Sequence, residues 1–159
     1  MPLSVNLRHL EEHPLSLSGE LSLEELDLDV RDEMLRPAGP LQYKLEVQKL
    51  EGGLLVQGAL ELELDCQCVR CLKPFRSMLD LREWTRHLPL QGEEAVAINN
   101  DCVDLTPYIR EDILLEFPQH PVCQPECGGL PSRSVGKAKT TEPRAGASAW
   151  DELNKLKLK

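Results

Sequence analysis

Two close-set groups of cysteines constrain this chain more than anything else in it. The first is Cys66-Gln67-Cys68-Val69-Arg70-Cys71, which runs into Leu72-Lys73-Pro74-Phe75. The second, about 50 residues on, is Cys123-Gln124-Pro125-Glu126-Cys127, which runs into Gly128-Gly129-Leu130. Close cysteine pairs in two turn-forming stretches are the donor set of a four-thiolate zinc site. Closing such a site staples distant parts of the chain together. It points to a binding module more than to an enzyme.

The expected compartment decides between metal and disulfide. The opening residues, Met1 to Leu10, lack the basic end and apolar core of a secretory signal. No run of 18 apolar residues suggests a membrane span. The chain reads as cytoplasmic, where thiols stay reduced and paired cysteines more often hold metal. A disulfide or redox pair and plain free thiols are the other readings of the same residues.

The ligand count has one sulfur too many. Cys66, Cys68 and Cys71 offer three where two suffice. The two-residue gap of Cys68 and Cys71 fits a knuckle turn, with Cys66 on the strand before it. His120 is a candidate substitute ligand near Cys123, against the simpler reading of a surface histidine. Cys102 stands alone and reads as a small buried hydrophobe. Four thiolates close the shell around Zn²⁺ and leave no place for a water nucleophile, so the expected role is structural.

Hydrophobic periodicity supplies the frame. Leu3, Val5 and Leu7 alternate as a short strand. Ser16 to Leu28 fits neither period cleanly, although Ser22 and Glu25 have capping-box spacing. Leu41, Tyr43, Leu45 and Val47 alternate with polar residues, and so do Leu54, Val56, Leu60, Leu62 and Leu64. Glu51-Gly52-Gly53 between them makes this a hairpin with one buried face. Phe75, Leu79 and Leu81 suggest a strand returning through Arg86, which puts Cys68 and Cys71 at a hairpin tip. After a polar stretch from Gln91 to Asp101, Thr106-Pro107 opens a helix, with Thr106 as N-cap. Its stripe is Ile109, Ile113, Leu114 and Phe117, and Pro118 and Pro121 end it. That helix would carry Cys123 and Cys127 back to the tip. The fold class is α+β: an antiparallel sheet with one main helix, stapled by a four-cysteine zinc-type site.

Three regions follow: a single metal-binding domain over 1–131, a flexible Gly/Ala/Lys-rich linker over 132–149, and a short basic amphipathic segment over 150–159. In the last, Trp150, Leu153 and Leu156 share one helical face with lysines around them.

The net charge of -9 is unevenly spread. Residues 1–65 carry 5 basic and 14 acidic side chains, residues 66–88 carry 5 and 2, residues 89–131 carry 1 and 8, and residues 132–159 carry 7 and 3. Local sign decides where a phosphate backbone can dock. Arg76, Arg82, Trp84 and Arg86 fall on one parity of the returning strand, beside Arg70 and Lys73 at the knuckle. Guanidinium groups next to an exposed indole suit single-stranded RNA. Against this, Glu61, Glu63 and Asp65 of the neighbouring strand could pair with the same arginines. No Gly-rich phosphate loop, nucleophile elbow or HExxH is present, and His9, His13, His87 and His120 sit in no catalytic motif. The expectation is a non-enzyme with no small-molecule substrate.

Several of these elements resemble one family. They are Cys68-Val69-Arg70-Cys71-Leu72-Lys73-Pro74-Phe75; Asp104-Leu105 with Glu111-Asp112-Ile113-Leu114-Leu115-Glu116-Phe117-Pro118; Pro121-Val122-Cys123 to Cys127 with Gly129-Leu130; and the closing Leu153-Asn154-Lys155-Leu156-Lys157. Together they resemble the YceD family, the large ribosomal RNA subunit accumulation proteins. The resemblance implies a bacterial or organellar factor in ribosome biogenesis that supports 23S rRNA accumulation or processing. It also implies a metal site at Cys68, Cys71, Cys123 and Cys127. The expected partner is ribosomal RNA or a pre-50S assembly protein. Arg70, Lys73, Arg76, Arg82, Trp84 and Arg86 are the candidate RNA contacts, with Lys155, Lys157 and Lys159 as a second grip. The competing reading is a zinc-stabilised adaptor that touches no RNA and whose tail docks into a partner's groove. A thiol redox protein using Cys68 and Cys71 is a third, without the βαβ context such motifs need.

Overall fold

Period-2 alternation dominates the chain, and antiparallel strands dominate the computed structural model, which describes residues 2–11, 13–28 and 32–131. In chain order the elements are β1 (Ser4–Asn6), a 3₁₀ turn (Leu7–Leu10), β2 (Leu15–Leu21), β3 (Leu35–Pro37), β4 (Leu41–Leu50), β5 (Gly53–Gln67), β6 (Pro74–Pro89), β7 (Ile98–Asn99), β8 (Cys102–Asp104) and α1 (Thr106–Leu115). The larger sheet runs β2-β4-β5-β3, with β6 also on β5; the smaller runs β1-β8-β7. Strand β5 organises everything. Residues 53–61 pair with β4 and residues 64–66 with β3, while β6 follows β5 from Gly53 to Gln67.

One face of β5 is sealed. Leu54, Val56, Leu60, Leu62 and Leu64 are essentially inaccessible, and they share one core with Leu41, Leu45, Val47, Val103, Leu105, Ile109 and Ile113. Burying each such side chain stabilises the fold by about 1.5–3 kcal/mol. Ser22 and Glu25 do form the reciprocal cap: the Glu25 carboxylate accepts from the Ser22 amide at 3.0 Å, and the Ser22 hydroxyl from the Glu25 amide at 3.2 Å.

Two local expectations are corrected. The N-cap of α1 is Leu105, not Thr106. Thr106 has its hydroxyl elsewhere, accepting a 2.9 Å bond from the Leu3 amide, which ties β1 to the helix. Leu114 is exposed, so the buried stripe is Leu105, Ile109 and Ile113.

The third correction bears on function. Gly58 lies opposite Trp84 but Leu60 lies opposite Leu81, so Arg82 and Glu83 together face Ala59 alone. This bulge adds one residue to β6 and resets its parity. Before it, Leu79 and Leu81 point to the core side; after it, Trp84, Arg86 and Leu88 do. The four basic-strand residues therefore do not share an outer face. Gly58 permits the arrangement: it has φ +155, and a Cβ there would run into the Lys44 carbonyl of β4.

Candidate metal centre

The turn between β5 and β6 is built to present sulfur. Gln67 pairs with Pro74 at the mouth of the hairpin. Inside it the Cys68 amide donates to the Lys73 carbonyl and the Leu72 amide to the Cys68 carbonyl, both at 2.9 Å. Leu72 has φ 60, a left-handed conformation that closes the knuckle despite its cost to a branched side chain. The Gln67 side chain caps the Leu72 carbonyl at 2.9 Å.

The second cysteine element arrives after α1 and is tied down by backbone. Val69 donates its amide to the Pro121 carbonyl at 2.9 Å, across the two segments. Arg70 reaches over and donates to the carbonyls of Cys127 at 3.3 Å and Pro125 at 3.4 Å. The Cys127 amide closes its own turn on the Gln124 carbonyl at 3.1 Å.

The four sulfurs of Cys68, Cys71, Cys123 and Cys127 consequently lie within 4.8 Å of one another. Cys68 to Cys127 and Cys71 to Cys123 are each 3.7 Å. A tetrahedron with Zn–S bonds of about 2.3 Å has an S···S edge of about 3.8 Å, so these separations suit one zinc ion. Cys68 and Cys127 are buried, and Cys71 and Cys123 are the more open pair. The Cys71 amide, with those of Cys123 and Arg70 assisting, pulls the Cys68 thiol down to about 6. Loss of solvent and the neighbouring sulfurs push Cys123 up to about 12. One thiolate is thus stabilised by the turn itself, and further ionisation in the cluster needs a cation to offset the accumulating charge.

Cys66, His120 and Cys102 stand outside the group. Cys66 is buried in the core opposite Phe75 and Leu35, and burial, then Asp65, raises its thiol. His120 is exposed. Cys102 pairs with Asn6 and Asn99 in the small sheet.

Of the candidate RNA contacts, Arg70 and Lys73 are exposed at the knuckle. Arg76 binds Glu63 at 3.1 Å and Asp65 at 3.2 Å, the cross-strand pairing open to it from the sequence. Arg82 binds Asp80 at 2.6 Å. Trp84 is only 8% exposed and presents no free indole. Its N–H donates to Asp112 Oδ2 at 2.8 Å, while Arg86 donates to Asp112 Oδ1 at 2.7 Å, lies 3.5 Å from Glu111 and sits over the Tyr108 ring at 5.9 Å. These contacts latch α1 onto β6. Asp112 is the residue that sequence reasoning missed; the lone Gly58 inside a strand pattern was the one available sign of a bulge that would redirect Trp84 toward it. Lys155, Lys157 and Lys159, with the linker over 132–149, lie outside the described residues. No helix among the described residues is long and apolar enough to cross a membrane.

Residues 56–157 match the family described as "Large ribosomal RNA subunit accumulation protein YceD". Uncharacterized proteins of Mycobacterium bovis and Mycobacterium tuberculosis are similar to this chain, each 28% identical over 98 residues. That alignment covers 57% of this chain and 47% of each relative, so the chain spans about half the length of the curated relatives it matches. No solved structure matches.

Proposed function

The chain belongs to the YceD family of large ribosomal RNA subunit accumulation proteins, and from that premise we propose that it is a non-catalytic factor in large-subunit biogenesis, gripping ribosomal RNA at a zinc-stapled knuckle. The observation that carries this reading is the placement of charge at the sulfur cluster. Arg70 and Lys73 stand exposed on the turn that holds Cys68 and Cys71. Arg76, Arg82 and Arg86 are held by carboxylates, which favours the knuckle over the strand as the phosphate contact. Zinc is the proposed metal, with Cys68, Cys71, Cys123 and Cys127 as its ligands. It supplies no reaction step; it fixes the two turns so that Arg70 keeps its bonds to the second cysteine element. Lys155, Lys157 and Lys159 would add further phosphate contacts.

Binding of a single-stranded 23S rRNA fragment, followed from low to moderate salt, tests the reading. Contact by Arg70, Lys73 and three tail lysines predicts log K falling with log salt at a slope of roughly -3.5, and the Arg70→Ala/Lys73→Ala double variant should flatten it by about 1.4. No binding at low salt would sink the RNA reading. A second reading then takes over, a protein-interaction adaptor. Its support is the apolar skin of the same knuckle, where Val69 is 37%, Leu72 48% and Leu130 60% exposed.

A further inference from the structure

Strand β6 is an edge strand: among the described residues it pairs only with β5. Along its free edge, between residues 80–86 and the end of α1, runs an open groove of about 690 Å³. Leu81, Trp84 and Leu115 give it an apolar floor, and Leu115 is 81% exposed. Its polar lining is biased. Asp80, Glu83, Asp112 and Glu116 face two guanidiniums, Arg82 and Arg86, which are already engaged with Asp80 and Asp112. One oxygen of the Asp80 carboxylate, Oδ1, is sealed from solvent and has no hydrogen-bond partner.

We propose that this groove is the docking site for the chain's own C-terminal segment, 150–159. The chemistry is complementary. The segment offers four large apolar side chains, Trp150, Leu153, Leu156 and Leu158, and three ammonium groups, Lys155, Lys157 and Lys159, against two carboxylates, Asp151 and Glu152. The first set suits the floor and the second suits the acidic rim of Glu83 and Glu116, so docking holds the three lysines until RNA displaces them. Charge drives the association as a whole: residues 1–131 carry 11 basic and 24 acidic side chains, residues 132–159 carry 7 and 3. The tether is long enough. The linker over 132–149 spans up to roughly 60 Å when extended, against a radius of gyration of roughly 14 Å for a domain of this size. Being tethered, the segment acts at high effective concentration and needs little intrinsic affinity. The family match runs from 56 to 157, so it takes in both the groove and the segment.

The test uses the full chain labelled with 5-fluorotryptophan. Its two ¹⁹F resonances are those of Trp84 and Trp150, assigned with Trp150→Phe. Docking predicts that the Trp150 resonance shows a solvent isotope shift well below that of free fluorotryptophan at low salt. Leu115→Asp and Glu116→Lys each alter an exposed side chain, so zinc content and melting temperature should hold while the Trp150 isotope shift rises to the free value. A full isotope shift in the unmodified chain would overturn the proposal, and so would protection that both variants leave intact. Protection that fades on dilution, together with a dimer in sedimentation, would assign the groove to the segment of a second copy and overturn the intramolecular docking.

Discussion

The two ends of strand β6 are secured in opposite ways. At its start the chain leaves a tight turn whose amides and sulfurs are assembled from two segments 52 residues apart. At its far end it meets α1 through one carboxylate, Asp112, which accepts from both Trp84 and Arg86. The first end has almost no apolar packing of its own: Val69, Leu72 and Leu130 all face solvent. The second sits on the core, with Leu88, Ile109 and Ile113 buried nearby in sequence. A region that cannot bury apolar area needs a metal to hold it; a region that can needs only a few directional bonds to set its register. Six substitutions probe that contrast.

The largest effect is expected at the sulfur end. Cys71→Ser or Cys127→Ser should each abolish binding of one zinc per chain, measured by elemental analysis, since structural zinc contributes about 10 kcal/mol in small folds. Retained zinc in either variant would mean the ligand set is wrong. The β4–β5 hairpin should survive in both, seen as persistent amide protection, because its core residues do not depend on the metal. Next comes Gly58→Val, which drives a side chain into the Lys44 carbonyl and destroys the bulge. It should cost about 3 kcal/mol or more in chemical denaturation, and the freed Trp84 should show red-shifted fluorescence.

Asp112→Ala is the counterpart to the cysteine variants. It strands the Trp84 N–H and the Arg86 guanidinium, so a loss of about 2–3 kcal/mol is expected by urea titration. Zinc stoichiometry should stay at one. If zinc is lost as well, the two ends of β6 are one cooperative unit and the contrast fails. The smallest effect is at Leu72. It is 48% exposed and held at φ 60, so Leu72→Gly trades modest packing for relief of a left-handed backbone. Stability should change by less than about 1 kcal/mol, whereas Leu62→Ala, in the sealed core, should cost about 2–5 kcal/mol.

The same contrast explains what could be read in advance. The sulfur end was legible because its logic is local: Cys68 and Cys71 sit in one turn with two residues between them, Cys123 and Cys127 stand in another, and thiolate chemistry does the rest. The hairpin of β4 and β5 was legible because Leu41 to Val47 and Leu54 to Leu64 alternate without interruption around Glu51-Gly52. The Asp112 latch was not. A single extra residue at Arg82-Glu83 inverts the parity of everything after it, and nothing in the pattern of Arg76, Arg82, Trp84 and Arg86 records that shift. Nor could spacing alone tell that Thr106, a sound N-cap by residue type, would bind the Leu3 amide 103 residues away instead. Long-range partners compete with local rules, and here the long-range partners won.

The division of the four sulfurs between a hairpin and a later turn also sets an order of events. Cys68 and Cys71 lie in the turn that joins adjacent, locally paired strands, so their half of the site can form as soon as β6 folds back on β5. In the assembled cluster the Cys71 amide, joined by those of Cys123 and Arg70, holds the Cys68 thiol at about 6, so the low value draws on both segments. Cys123, whose thiol is pushed up to about 12, yields its proton only when a cation is present to take its place. Closing the proposed zinc shell therefore depends on the segment behind α1 returning to the hairpin, a non-local step.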